Sequence, residues 1–193
     1  RLIVLHGEEP PPENARLDAP RIGEIVHATA DDLHVKLPGT DVLLVWDLFS
    51  EALASAWPKA DSLAWVHAAT TGVDNLMFPE LVDSDVVVTN SRGVFDEPIA
   101  EYGLGLVLAF AKDFPRSWEY QRERHWEHRE TERVSGKRAL VVGTGPIGRH
   151  IARKLAAVGL QVHAGGSRAR EGDDDFRTIV ESATAERGTD GAP

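Results

Sequence analysis

The sequence predicts an α/β protein built on parallel strands with helices on both faces, and three observations carry that prediction. Short β-branched runs alternate with polar, helix-compatible segments through the first half of the chain. Several of those runs are continuously apolar, as in Val42-Leu-Leu-Val-Trp46, the pattern of a strand covered on both sides. In the second half a strand at Arg138–Val142 leads straight into Gly143-Thr-Gly-Pro-Ile-Gly148 and an amphipathic helix, with another strand beyond.

Taken in order, strands are predicted at Leu2–Leu5, Ile22–Ala28, Val42–Trp46, Leu63–His67 and Val86–Asn90. Between the first two, the segment from Pro10 to Pro20 holds four prolines and reads as loop. Ser50 can cap a helix, with Glu51 at the positive end of its dipole. Beyond Asn90-Ser-Arg-Gly93 a long helix is expected over Glu97–Phe114, apolar almost all round at Leu104–Phe110 and therefore buried. The charged stretch Arg116–Arg133 reads as a solvated helix and linker, with Trp118 and Trp126 anchoring it to a neighbour. After the glycine turn a helix runs through Val158 with Ile147, Ile151, Leu155 and Val158 on one face, and a strand follows at Gln161–Ala164. Past Gly165 the chain turns polar and its end reads as a frayed tail. The second sheet is then expected to hold two strands, with an open edge and an uncovered apolar face.

Composition narrows the function classes. A chain of 193 residues can hold one complete small domain and part of a second. Its net charge of −10 works against nucleic acid, so an anionic ligand must be caught by local groups. With no cysteine, disulfides and thiolate metal sites are excluded. The longest apolar stretch, Gly103–Ala111, falls short of the roughly 20 residues of a bilayer span. Arg1–Leu5 is too short for a signal peptide, and a cytoplasmic protein is expected. His125 and His128 can share a helix face, but no third ligand is near, and no metal site is expected.

Gly143–Gly148 is the motif that carries chemistry. A lone G-x-G-x-x-G is weak, but between a strand and an amphipathic helix it has the context of a dinucleotide fingerprint. Gly143 would allow the tight turn, Gly145 the approach of a pyrophosphate, and Gly148 close packing of helix on strand; Thr144, Pro146 and Ile147 complete the loop. Amides at the helix start would then face the phosphates. Where an NAD site wants Asp or Glu, the chain has Gly165-Gly-Ser167-Arg168, with Arg170 close behind. Serine and arginine suit a 2′-phosphate, so NADP(H) is expected over NAD(H).

Four stretches together resemble the D-isomer-specific 2-hydroxyacid dehydrogenase family: Ala68-Ala-Thr-Thr-Gly-Val-Asp74, Val88-Thr-Asn90, Pro98-Ile-Ala-Glu-Tyr102 with its apolar helix, and Gly143–Gly148. The Val45-Trp46 strand end, the His125-Trp126 pair and the Gly-Ser-Arg turn resemble the glyoxylate/hydroxypyruvate reductase branch. The resemblance implies a flavodoxin-like substrate domain over 1–92, followed by an incomplete Rossmann dinucleotide-binding domain over 93–193, with the site in the cleft between them. It implies that Thr71, Gly72 and Val73 offer backbone amides to a substrate carboxylate and that Trp46 lies at the cleft wall. Two adjacent amides in such a loop can hold an anion without a formal charge. The substrate implied is a small 2-oxo or 2-hydroxy acid, and the assembly a homodimer paired through the cofactor domains.

In such enzymes hydride passes between the nicotinamide and the carbon bearing the hydroxyl, while an arginine orients the substrate and a glutamate-supported histidine moves the proton. The resemblance puts all three beyond residue 193, so no catalytic residue is expected within this sequence and the polypeptide is expected not to turn over. The alternative from another class is a non-catalytic nucleotide-binding or interaction module. An FMN-binding flavodoxin is set aside, because His6-Gly-Glu-Glu-Pro-Pro11 is a poor phosphate cradle.

Overall fold

A computed structural model of the chain describes residues 1–12, 23–47 and 49–182. The chain divides into two compact units, Arg1–Val94 and Phe95–Pro193.

The first unit is a wholly parallel sheet of strands β1 (Leu2–Leu5), β2 (Ile25–Ala28), β3 (Val42–Val45), β4 (Trp65–Ala68) and β5 (Val87–Asn90), in the order β2-β1-β3-β4-β5. That is the doubly wound order of the flavodoxin-like fold, whose direction reverses beside the first strand. Leu2 lies opposite both Ile25 and Val42, so β1 is hydrogen-bonded on both edges and buried at every position. Only an unbroken apolar run such as Leu-Ile-Val-Leu could fill that place. Short helices α1 (Leu33–Lys36), α2 (Ala52–Ala56) and α3 (Pro79–Val82) connect the strands, and Leu33, Leu53 and Leu81 reach from them into the core beside Ile3, Leu5, Leu43 and Val66.

Strand bounds shift from the expectation at several ends. The second strand begins at Ile25, Ile22 and most of Pro10–Pro20 lying outside the described residues; Trp46 falls outside β3, and β4 runs from Trp65 rather than Leu63. Ser50 does not act as the helix N-cap. Glu51 holds that position, and the Ser50 hydroxyl accepts the Ala52 amide at 3.3 Å from one residue further out.

The second unit contains helices α4 (Asp96–Ala111), α5 (Phe114–Glu123) and α6 (Pro146–Ala157), and strands β6 (Arg138–Val142), β7 (Gln161–Gly166), β8 (Arg170–Glu171) and β9 (Thr178–Glu181). Its sheet has the order β6-β7-β9-β8, with β8 antiparallel to β9 and the other pairings parallel. The expected two-stranded sheet is therefore corrected to four. Polarity hid β9, because Ile179 is its one buried residue and Asp173-Asp-Asp175 precedes it. Phe176 and Ile179 join Val141, Leu155, Val162 and Ala164 in a single core, against which Leu104 and Val107 of α4 pack.

Two more expectations are corrected here. The helix predicted from Glu97 to Phe114 breaks at Asp113, whose φ is 49°. Pro115 was the available signal, since it has no amide to donate to Ala111 O and its ring clashes with that carbonyl in a continued helix. Nor is the Leu104–Phe110 stretch buried: Leu106 and Phe110 are exposed, and the fully buried positions of α4 are Asp96 and Ala100. One face of α4 packs on the core, and the apolar residues on the other face open outward. Trp118 and Trp126 are likewise exposed and anchor nothing among the described residues; Trp118 only tilts against Phe114.

Candidate functional site

The turn from β6 into α6 has geometry that its glycines require. Gly143 sits at φ 111°, a backbone that L side chains rarely adopt, and its amide donates to Gly165 O at 2.8 Å. At Gly148 a Cβ would be driven into the Gly143 carbonyl, so helix and strand can approach only with hydrogen there. Around Gly145, by contrast, a Cβ would meet nothing within 4 Å. The helix begins at Pro146 with no side chain capping it, so first-turn amides keep their hydrogen-bonding capacity. Open space, uncapped amides and the positive end of the α6 dipole together fit a dinucleotide pyrophosphate.

The neighbouring strand end completes this surface. A Cβ on Gly166 would stand 3.3 Å from Thr144 Cγ2, so β7 ends against the turn itself. Ser167 and Arg168 follow, exposed, and Arg170 lies in β8; neither arginine makes an ion pair or side-chain hydrogen bond among the described residues. The absence of a carboxylate from Gly165 to Arg168 leaves nothing there to repel a 2′-phosphate.

Sequence reasoning missed an ionic network between α6 and the turn from β8 into β9. Arg149 of α6 donates to Asp175 at 2.7 Å and to Asp173 at 2.8 Å, while Arg153 donates twice to Asp175, at 2.6 and 3.1 Å. The Asp175 carboxylate is only 6% exposed, and Asp173 also accepts the amides of Asp175 and Phe176. The Arg149 guanidinium lies over the Phe176 ring, 5.4 Å from its centre. The hydrogen bond from Arg149 holds Asp173 down to about 2, and the Arg153 guanidinium lowers Asp175 against the opposing effect of burial. No local pattern marks such a network, whose partners lie 22 to 26 residues apart.

In the first unit, the loop after β4 borders a cavity of about 160 Å³. Gly72 and Val73 line it, together with Val45, Asp47, Phe49 and Ser50 from the far side of β3. It lies at the carboxyl ends of β3 and β4, where open parallel sheets place their ligands. The amides of Gly72 and Val73 have no acceptor among the described residues. They are presented without any left-handed residue in the loop. Thr71 and Trp46 do not line the cavity. The Thr71 side-chain oxygen is buried without a partner, and Trp46 follows β3 with its amide on Leu5 O. Asp47 and Asp74 lie on the wall and, among the described residues, no lysine or arginine does, so an anion held by these residues must rest on the amides.

This loop is held from the next strand. Asn90 Nδ2 donates to Thr71 O at 2.6 Å, the Ser91 amide to Thr70 O at 2.9 Å, and the Ser91 hydroxyl to Ala68 O at 3.3 Å. Behind it, the Thr89 hydroxyl takes the Trp65 indole N–H at 2.8 Å and lies 2.8 Å from His67 Nδ1. Asn90 was visible in the sequence as part of Val88-Thr-Asn90, but nothing there showed what it holds. Among the described residues no group of three His, Cys, Asp or Glu could hold a metal, and no helix is long and apolar enough to cross a membrane.

A parallel sheet in flavodoxin order is followed in the chain by the strand–glycine turn–helix unit of a dinucleotide-binding fold. Residues 104–187 match the NAD-binding domain of D-isomer specific 2-hydroxyacid dehydrogenases. The chain is 34% identical over 140 residues to a D-3-phosphoglycerate dehydrogenase of Mycobacterium bovis, a match covering 69% of this chain and 26% of the relative. It is 27% identical over 140 residues to a hydroxypyruvate reductase of Thermotoga maritima, covering 72% and 45%. Among solved structures, a D-isomer specific 2-hydroxyacid dehydrogenase family protein of Aeromonas salmonicida superposes with a TM-score of 0.72 at 25% identity, over 97% of this chain and 60% of that one. The chain belongs to the D-isomer specific 2-hydroxyacid dehydrogenase family. It spans less than half the length of these two curated relatives.

Proposed function

We propose that this chain carries the dinucleotide-binding and carboxylate-binding parts of an NADPH-dependent reductase of small 2-oxo acids such as glyoxylate or hydroxypyruvate. The observation that carries the reading is the turn at Gly143–Gly148, with its open approach at Gly145 and uncapped helix start. In this reading residues 1–92 form the substrate domain and 93–193 the start of the cofactor domain. Gly145, Pro146, Ile147 and Gly148 border the pyrophosphate, Gly143 and Thr144 shape the turn, and Ser167, Arg168 and Arg170 take the 2′-phosphate. The amides of Gly72 and Val73 receive the substrate carboxylate, with Thr71 and Trp46 beside them.

The nicotinamide, when bound, supplies the hydride to the substrate carbonyl. The proton that completes reduction to the 2-hydroxy acid would come from a histidine supported by a glutamate, with an arginine on the carboxylate. In this reading none of the 193 residues takes those three roles, and the polypeptide alone is proposed to bind without turnover. The acidic wall of Asp47 and Asp74 is consistent with a site that still needs such an arginine. A homodimer in the cytoplasm is part of the same reading; the outward apolar residues of α4, Tyr102, Leu106 and Phe110, would suit a pairing face.

Calorimetric titration of the purified chain with NADPH and NADH tests this, with Gly145→Val and Arg168→Ala beside wild type. Gly145→Val should abolish binding of both nucleotides, and Arg168→Ala should weaken NADPH about tenfold while leaving NADH unchanged. Equal affinity of wild type for the two nucleotides would overturn the NADP preference. A wild type that binds neither would leave these 193 residues a non-catalytic interaction module.

A further inference from the structure

We infer that Asp175, gripped by Arg149 and Arg153, is a positioning residue for cofactor discrimination: it ties the hairpin that bears Arg170, and that Arg168 leads into, to the first turns of α6. The inference rests on the proposed NADPH reading, and it concerns a residue that touches no nucleotide.

The argument begins with the sorting of cations. Of these four arginines of the second unit, Arg149 and Arg153 are engaged with Asp173 and Asp175, whereas Arg168 and Arg170 have no side-chain partner among the described residues. The acidic run therefore leaves free the pair that a 2′-phosphate could use. Asp173 and Asp175 lie in the turn of the β8–β9 hairpin, directly after the strand that holds Arg170. Asp173 braces the turn from within, through its contacts to the Asp175 and Phe176 amides, and its backbone amide closes on Phe176 O at 2.9 Å. Asp175 fastens that turn to α6 through three hydrogen bonds.

β8 is only two residues long and is paired to β9 alone. A strand that short has little hold on its neighbour, so its order depends on the anchored turn. An arginine on a loose loop must surrender backbone as well as side-chain freedom when it closes on a phosphate. On an anchored hairpin only the side chain need be ordered, and the preference for NADPH gains accordingly.

Nucleotide binding to the full chain tests this with Asp175→Asn, titrated with NADPH and NADH and followed by amide hydrogen exchange. NADPH affinity should fall about tenfold and NADH affinity stay within about twofold, with faster exchange at Arg170, Glu171 and Thr178. An equal loss for both nucleotides would show that the network acts on the pyrophosphate turn or the fold at large, and overturns the inference. Unchanged NADPH binding overturns it as well. Should Asp175→Asn unfold, Arg153→Gln removes two of the three bonds from an exposed side chain, and the same split between nucleotides is expected. Failure of wild type to bind either nucleotide would instead sink the underlying reading.

Discussion

The turn at Gly143–Gly148 and the loop at Thr70–Asp74 both offer backbone amides, and they are held in opposite ways. The turn is shaped from within: Gly143 adopts a backbone that other residues resist, and Gly148 admits a contact that no side chain would. The loop after β4 has ordinary backbone angles and is held from outside, by Asn90 and Ser91 of the adjacent chain segment. A turn shaped by glycine takes its path from its own backbone. A tethered loop is only as firm as the strand that holds it, and among the described residues of its carboxylate-lined cavity its amides are what can attract an anion.

Substitutions can break this contrast, beginning with the largest effect. Gly148→Val should cost about 3 kcal/mol or more of stability, because the Gly143 carbonyl and the helix start cannot part without losing the β6–α6 packing. Urea unfolding would measure it, and a loss below about 1 kcal/mol would show that the turn has slack. Asn90→Ala should cost about 1 kcal/mol and leave the fold intact, while amide exchange at Gly72 and Val73 quickens. Unchanged exchange there would mean that Ser91 alone holds the loop.

Acid should discriminate the two regions by a different route. Asp173 is held near 2 in the folded chain by Arg149, against 3.8 for an unperturbed aspartate. Its contribution is complete above the unfolded value and is lost as pH falls from about 5 toward 2. Asp32, Asp41 and Asp61 of the first unit are lowered as well, so the useful quantity is the change made by Arg149→Gln. That variant should flatten the acid dependence of unfolding, and a curve parallel to wild type would argue against the pair. The smallest effect is expected at the cavity edge. Ser50→Ala should cost about 0.5–1 kcal/mol through loss of the bond to the Ala52 amide, read from the thermal midpoint.

The same contrast explains what the sequence revealed. Where geometry demands a residue type, the letters carry the structure: Gly143 and Gly148 marked the turn, and the apolar run Leu2–Leu5 marked a strand. Where a side chain reaches across the fold, they do not. Asn90 and Thr71 are 19 residues apart, and nothing near either predicts the other. Strand β9 was hidden by its polar surroundings, whereas the break at Asp113 had its signal in Pro115, two residues on. Burial of α4 was over-read because hydropathy reports what a face could cover and not what covers it.

The sheet order of the first unit also sets a timetable. Residues 2–5 become the sheet's interior, yet they can pair only with strands made later, at 25–28 and 42–45. A growing chain therefore carries this apolar segment with at least one open edge until the third strand has left the ribosome. Every pairing in the sheet is parallel and non-local, a topology that folds in the slow range of roughly milliseconds to seconds. During that interval Leu2–Leu5 is the stretch most open to association with another chain, and a charge placed within it to prevent this would leave the finished sheet without its centre.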